Sequence, residues 1–368
     1  MRTFEELFEH DPGVRTDPAF KVAFEAALRA GFEPDGQPVV QFYYDGKPRI
    51  ARVMGSMPER TDGTQQAQAV LKLRHDPRQR LQKPAECLIV ARQFLSGRET
   101  RSIVAPRLLA HATDYGTQAA WPWVIEEYLG EPLHDHTLHA NEREHFAQGL
   151  WLLQQTLGGM ASLRAATPEE RTAVALHTAR MDRWWQLCEQ TGSASLVSQY
   201  FDAYVQQQMQ NRVIGWYVGT DAKRMFWEHG APSPRRFVPL PAEHQPASHQ
   251  WGVLSWEHLA PRPTGYAAAY AIWVCCIMHP NWQGRSGDTL LTDVQEWIDC
   301  MVRNLHPFRV EGDATHRARW LRIALLERCF GTIAADIGGQ VRMSNSERNA
   351  RLQSLVPLVT WLLDTTAL

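Results

Sequence analysis

The sequence predicts an α+β protein in which a small β-rich part precedes a larger helical part. In the first third of the chain, short runs rich in Val, Ile, Tyr and Phe are separated by turn residues, as in strands. From residue 141 onward the apolar residues recur at helical spacing. A block of strands followed by a block of helices indicates an α+β architecture.

Composition restricts the possible functions. The chain has 368 residues, which suggests two domains or lobes, and its net charge of −2 gives no basic signature of nucleic-acid binding. No apolar run is long enough to span a bilayer, and the N-terminal residues lack the order of a signal peptide. We therefore expect a cytoplasmic protein with neither a membrane nor a nucleic acid as partner. The six cysteines show no C-x-x-C spacing and are expected to be reduced, packed thiols.

The N-terminal residues predict a helical extension over residues 1–36. Apolar residues at helical spacing are interrupted at Asp11-Pro12-Gly13, which indicates two helices. The sequence Pro34-Asp35-Gly36 then predicts a turn.

Residues 37–126 predict a β-rich N-lobe. Two strand-like runs surround Asp45-Gly46, a strong hairpin signal, and a third strand carries Lys72. Glu86 follows on a segment with helical spacing. A strand pair is then expected within residues 102–111, ahead of the apolar segment that ends in Glu126.

Residues 127–368 predict a helical C-lobe. Asn141 with Glu144 and Ser344 with Glu347 have the spacing of capping boxes, which mark helix starts. We expect helices over 141–159, 168–190, 196–213, 264–278, 290–305, 315–336 and 345–364.

One stretch in this helical part, FWEHGAPSPRRFVPLPAEHQPASHQWGVLSWE, has the layout of a catalytic segment. His229-Gly230-Ala231 is followed five residues later by Arg236, and the strand-like run Trp251-Gly252-Val253-Leu254 leads into Ser255-Trp256-Glu257. It resembles the segment of aminoglycoside phosphotransferase-like kinases that reads His-Gly-Asp, then Asn, then Asp-Trp-Glu. The resemblance implies a two-lobed protein-kinase-like fold, with a small β-rich N-lobe and a large helical C-lobe.

The resemblance also implies that the catalytic residues are lost. Ala231, Arg236 and Ser255 occupy the positions of the family's Asp, Asn and Asp, which orient the attacking hydroxyl and hold the metal ions. Ala231 cannot accept a proton, Arg236 places a cation where a metal would sit, and a neutral Ser255 oxygen is a poor ligand for Mg²⁺. Glu257 is the carboxylate that remains as a possible metal ligand.

The same resemblance assigns a possible nucleotide or phosphate site. It implies that Lys72 meets the phosphates and Glu86 holds Lys72, while the backbone of Glu127 to Leu129 binds adenine. Arg236 could bind phosphate without a metal, because a guanidinium offers paired donors. The alternatives are an exposed Lys72 with a solvated Glu86, and a pair of solvated loop arginines at Arg235-Arg236. The hairpin tip YYDGKPR lacks the glycines of a phosphate loop, so nucleotide binding is itself in question.

Glu126 stands where the family usually has an apolar residue. A buried carboxylate without a partner is costly, and Lys72 is one candidate partner.

These observations favour a catalytically degenerate pseudokinase that acts as a binding, scaffold or regulatory protein. It would recognise a protein or peptide partner, or hold a peptide or small molecule in the cleft between the lobes, with no cofactor. The alternative is a divergent phosphotransferase that uses ATP and Mg²⁺ on a hydroxyl of a small molecule or peptide, through Lys72, Arg236 and Glu257. A third interpretation is a helical scaffold with an unrelated β subdomain.

Overall fold

The structure is a computed structural model that divides into two compact units. Unit 1 comprises Met1–Glu131 and Val238–His258, and unit 2 comprises Pro132–Phe237 and Leu259–Leu368. The described residues are 3–42, 48–58, 66–74, 83–96, 102–112, 121–134, 138–158, 160, 173–219, 225–241, 250–263, 265–278, 285–304, 314–339 and 343–367. Antiparallel strands dominate unit 1 and helices dominate unit 2, so the predicted α+β class is confirmed.

The main sheet of unit 1 is antiparallel. Its strands are β1 (Glu33–Pro34), β2 (Val39–Phe42), β3 (Pro48–Pro58), β4 (Gln66–Arg74), β6 (Leu108–His111) and β7 (Trp123–Glu127), with β5 (Ile103–Val104) lying outside it. The order is β1-β3-β4-β7-β6, and β2 also pairs with β3. The β2–β3 pair is the predicted hairpin, and its predicted tip at Asp45-Gly46 lies outside the described residues.

Three N-terminal helices contribute to the core of unit 1. They are α1 (Phe4–Leu7), α2 (Pro12–Arg15) and α3 (Pro18–Arg29). The sequence predicted two, but Pro12 begins a separate helical turn after Asp11. Four phenylalanines of this N-terminal region pack with the apolar face of the sheet: Phe4, Phe8, Phe20 and Phe24.

Asp17 ties this helical region to the sheet. Its carboxylate caps α3 by accepting from the amide groups of Ala19 and Phe20, at 2.9 and 3.1 Å. The indole N–H of Trp121 also donates to Asp17, at 3.1 Å, and the Trp121 ring meets Phe20 edge to face.

A second part of the chain returns to unit 1. Strand β10 (Gln250–Val253) pairs in parallel with β5, and β9 (Phe237–Leu240) completes that small sheet. A 3-10 turn over Trp256–His258 then packs against helix α4 (Lys83–Ser96). Residues distant in sequence, including Glu86 on α4 and Glu257 in the turn, are thereby brought into one unit.

Unit 2 is built mainly from helices. They are α5 (Ala140–Leu157), α6 (Ala173–Gln190), α7 (Ala194–Ser198), α8 (Ala203–Gly219), α9 (Tyr266–Ile272), α10 (Gly287–Asn304), α11 (Ala314–Gly331) and α12 (Asn345–Thr365). Strands β8 (Met225–Glu228) and β11 (Ala260–Pro263) form an antiparallel ribbon. Helices α9 and α11 continue into π-helical turns, over Trp273–Ile277 and Thr332–Ile337.

The predicted helix starts are partly confirmed. Ser344 and Glu347 form a capping box at the start of α12. The Asn141 prediction is wrong, because α5 begins one residue earlier and Glu142 accepts from the amide of His139 at 2.8 Å. Within the described ranges, no helix is both long and apolar enough to cross a membrane.

Candidate functional site

Lys72 and Glu126 are joined by an ion pair inside unit 1. In the β4–β7 register Lys72 lies opposite Val124, and Glu126 lies two residues further along β7 on the same face of the sheet. The side chains are 17% and 6% exposed. The ammonium group donates to Glu126, so the buried carboxylate has the partner that its burial requires.

Glu86 is not the partner of Lys72 among the described ion pairs. Helix α4 turns its apolar residues Ala85, Leu88 and Ala91 inward, and Glu86 is exposed on another face. The expectation that Glu86 holds Lys72 is therefore wrong for this structure, because the carboxylate on the adjacent strand occupies that role.

The backbone N–H groups that follow β7 differ in whether they already have an acceptor. The N–H of Glu127 donates to the Arg107 carbonyl and that of Tyr128 to the Gln68 carbonyl, both at 2.9 Å. The Glu127 carboxylate also forms an ion pair with Arg107 at 3.0 Å. In the part of the chain that the structure describes, the amide of Leu129 has no backbone acceptor, so it remains the candidate donor to an adenine.

Ser255 adopts an uncommon backbone conformation. It is buried, 3% exposed, and its φ of 65° is the only positive value among described residues other than glycine. An L residue in this region is disfavoured, and such strain persists where the surrounding structure enforces it, often at functional sites. Trp256 helps to enforce the turn, since its indole N–H donates to the Val253 carbonyl at 2.7 Å.

The loop that follows β8 in unit 2 is closed by Arg236. Gly230 has a φ of 80°, a conformation that glycine adopts readily, and Ala231 is 2% exposed. The guanidinium of Arg236 donates to the carbonyl of Ala231. The backbone N–H of Arg236 donates to the carbonyl of Ser233 at 2.9 Å. Arg236 thus holds the loop in place with a fixed positive charge.

The residues present at these positions do not fit a magnesium site of the usual kind. Mg²⁺ prefers oxygen ligands, above all carboxylates, in octahedral geometry. Ala231 and Arg236 of unit 2 offer no side-chain oxygen, and Ser255 of unit 1 offers a neutral one. Glu257 is half-buried and lies 4.0 Å from His258. Over the described ranges, no three His, Cys, Asp or Glu side chains are placed to hold a metal together.

Unit 2 also contains a set of side chains that sequence reasoning missed. We call it the arginine–tyrosine cluster, and it consists of Arg180, Arg262, Arg328, Tyr266 and Tyr270. The guanidinium carbons of the three arginines lie 5.5, 5.0 and 4.5 Å from the centre of the Tyr266 ring. Arg328 also donates to the Tyr266 hydroxyl at 2.7 Å. Only the i, i+4 tyrosine pair on α9 gave a sequence signal.

The charges of this cluster act on both tyrosines. Burial acts to raise the pKa of Tyr266, but Arg328, Arg262 and Arg180 together bring it below its ordinary value. Burial raises the pKa of Tyr270, although Arg236, Arg328 and Arg235 act in the opposite direction. The positive charge therefore extends from the cluster to the loop that Arg236 closes.

The comparisons with solved structures concern the fold. A microcompartment-associated aminopropanol kinase is 12% identical, with 93% of this chain and 96% of that chain covered and a TM-score of 0.52. Choline kinase from Cryptosporidium parvum Iowa II is 13% identical over 89% and 90%, also at 0.52. The ADP-bound aminoglycoside phosphotransferase APH(2'')-Ib is 10% identical over 94% and 97%, again at 0.52. The chain has the fold of the small-molecule kinases.

This kinase-like fold confirms the architecture that the motif order predicted. It contradicts the interpretation as a helical scaffold with an unrelated β subdomain, because the similarity spans nearly the whole chain. No protein-family model and no curated protein matches the sequence. At these identities the kinase-like fold is shared while the reaction is a separate question.

Proposed function

We propose that the chain is a kinase-fold binding protein that does not carry out conventional magnesium-dependent phosphoryl transfer. The observation that supports this most is the bond from the Arg236 guanidinium to the Ala231 carbonyl. This bond holds the positively charged guanidinium within the loop. In the resembled kinases the same loop carries a metal ligand and the residue that orients the attacking hydroxyl. No metal ligand can be supplied by these two side chains.

The ion pair of Lys72 gives independent support from unit 1. In the resembled kinases a glutamate on a helix holds this lysine while the lysine meets nucleotide phosphates. Here the carboxylate partner of Lys72 is Glu126 on the adjacent strand, and Glu86 on α4 is exposed. Lys72 is thus held against the sheet, which differs from the arrangement that serves phosphate binding in those kinases.

The proposed partner is a protein or peptide, with a small-molecule ligand as a further candidate. A kinase-like fold does not by itself imply catalysis, because one fold can carry unrelated functions. A binding role predicts that the double variant Lys72→Met/Glu126→Leu, which leaves no buried charge unpaired, retains the partner as the parent does.

The deciding experiment is a thermal-shift titration of the full chain with ATP and ADP, with and without Mg²⁺ or Mn²⁺, combined with an ATP hydrolysis assay. A ligand that binds only the native state raises the melting temperature by mass action. We expect no metal-dependent rise and no hydrolysis above that of the buffer. A metal-dependent rise together with hydrolysis that is lost in Lys72→Ala would overturn the proposal.

The matched control is Lys21→Ala. Lys21 also forms an ion pair, with Glu5 at 2.8 Å, but both side chains are largely exposed on the N-terminal helices. Hydrolysis that stayed at the level of the parent in both variants would indicate a contaminating activity.

One observation favours the alternative of a divergent phosphotransferase. The Leu129 amide is the donor that the resemblance assigns to adenine, and no described backbone acceptor occupies it. That enzyme would use ATP and Mg²⁺, with Lys72, Arg236 and Glu257 as its functional residues. It predicts the metal-dependent outcome of the same titration.

A further inference from the structure

The arginine–tyrosine cluster has an unusual excess of buried positive charge. Arg328 is 9% exposed, and the Arg180 side chain is 16% exposed. Arg180 is paired with the buried Glu327 at 3.0 Å. For Arg328 and Arg262 the described partners are aromatic rings and the Tyr266 hydroxyl rather than carboxylates.

The other nearby carboxylate is committed elsewhere. Glu228 is 2% exposed and accepts from the amide of Ala267 at 3.0 Å and from Gln154 at 3.4 Å. It therefore stabilises the first turn of α9, where a negative charge is favourable. Arg235 and Arg236 add further positive charge near Tyr270. Among the described residues around the two tyrosines, arginine thus outnumbers carboxylate.

Two π-helical turns adjoin the cluster. The turn Trp273–Ile277 follows α9 directly, and the turn Thr332–Ile337 follows α11, the helix that carries Arg328. The indole N–H of Trp273 donates to the Thr332 hydroxyl at 2.6 Å, which joins the two turns. Such turns are rare and occur frequently at functional sites. Their presence on both helices is an observation independent of the charges.

We propose that the arginine–tyrosine cluster is a binding site for a phosphoryl oxyanion, either free phosphate or the phosphate group of a phosphomonoester. Guanidinium groups present paired donors that match the oxygens of a phosphoryl group, and aromatic faces hold them in position. The Tyr266 hydroxyl orients Arg328 and leaves other guanidinium donors for a ligand. The negative charge of a phosphate dianion would balance the positive charge of Arg262 and Arg328, which have no carboxylate among their described partners.

This site goes beyond the proposed function, since it would serve an enzyme and a binding protein alike. It lies within unit 2 and requires no metal ion. It also differs from the predicted nucleotide residues Lys72, Glu127 and Leu129, all of which belong to unit 1.

The test is isothermal titration calorimetry of the full chain with inorganic phosphate and with glycerol 3-phosphate, in the presence of a chelator. Ionic strength is held constant with sodium chloride, because salt screens exposed charges. We expect saturable binding that weakens at least tenfold in Arg262→Gln. Binding of both probes supports an oxyanion site open to either source, and binding of glycerol 3-phosphate alone assigns it to esters.

Arg303→Gln is the matched control, since Arg303 is a largely exposed arginine of unit 2 that pairs with Glu144 at 3.3 Å. It should bind as the parent does. Tyr266→Phe is the second variant: it removes the acceptor that orients Arg328, keeps the ring, and should also weaken binding. The proposal is overturned if neither probe binds, or if Arg262→Gln and Arg303→Gln change the affinity equally. Glycerol should produce no heat, and saturable binding of glycerol would contradict recognition of the phosphate.

Discussion

Lys72 and Glu126 form an ion pair across adjacent strands, with Glu126 two residues beyond the one that lies directly opposite Lys72. The pair joins strands β4 and β7 through two side chains on the same face of the sheet. Its contribution to the stability of the fold is measurable.

Replacing one partner of this pair should destabilise the protein more than replacing both. Glu126→Leu leaves a half-buried ammonium group without its carboxylate, and breaking a buried pair in this way costs about 3–5 kcal/mol. The double variant Lys72→Met/Glu126→Leu leaves no unpaired charge and should cost less than Glu126→Leu alone. Urea denaturation of the single and double variants gives the comparison. Equal or greater loss in the double variant would show that the pair contributes little.

The strained backbone at Ser255 predicts that glycine stabilises the fold more than alanine at this position, the reverse of the usual order. Because glycine tolerates a φ of 65° and alanine does not, Ser255→Gly should be more stable than Ser255→Ala, by about 1 kcal/mol. Thr156 is the control, since it is also buried but lies within helix α5, where alanine is favoured over glycine. There, Thr156→Gly should be less stable than Thr156→Ala. The same order at both positions in urea denaturation would count against strain at Ser255.

The cysteines should differ sharply in reactivity. Five are buried and Cys87 is half-buried, and burial raises the pKa of Cys276 and of Cys329 to about 12. A thiol-reactive disulfide reagent at mildly alkaline pH should label Cys87 first in the native chain and all six after denaturation. Rapid native labelling of Cys276 or Cys329 would contradict the packing described for unit 2.

The same pKa shifts set the direction of alkaline destabilisation. Cys276 and Cys329 have pKa values raised in the folded state above the ordinary 9.0 of the unfolded chain. Their stabilising contribution is therefore complete below about pH 9 and declines as the pH rises towards 12. Serine at either position should remove part of that decline, as melting temperatures measured across this range would show.

Tyr266 and Tyr128 should respond to alkali in opposite directions. The pKa of Tyr266 is lowered overall by Arg328, Arg262 and Arg180, against the opposing effects of burial and of Glu327. Its contribution to stability therefore grows as the pH rises through its folded pKa towards 10. Burial and the bond to Glu131 raise the pKa of Tyr128 to about 12, so its contribution declines over the alkaline range. Ultraviolet difference titration of Tyr266→Phe and Tyr128→Phe identifies each group, and identical titrations would contradict the role of the arginines.

Much of the fold was predictable because local patterns and motif order agree with it. The strand that carries Lys72, the Ser344 cap and the position of Ser255 after a strand all follow from short stretches of sequence. The partner of Glu126 was also anticipated, because a buried carboxylate needs a cation on a neighbouring strand.

The features that were not predictable depend on contacts between segments distant in the sequence. Arg180, Arg262 and Arg328 meet around Tyr266 only because α6, β11, α9 and α11 pack together, and no spacing within one segment encodes that meeting. The π-helical turns likewise lack a motif of their own. Glu86 has the residue type and position that the kinase pattern requires, yet the buried face of α4 directs it outward.

The bond from Trp121 to Asp17 has a practical consequence for anyone who trims this protein. A chain that began at residue 37 would lose the phenylalanines that cover one face of the sheet, along with the acceptor of the Trp121 indole. The bared apolar surface would promote self-association, so such a fragment should accumulate in inclusion bodies. The first helices therefore belong in every recombinant version of the kinase-like part.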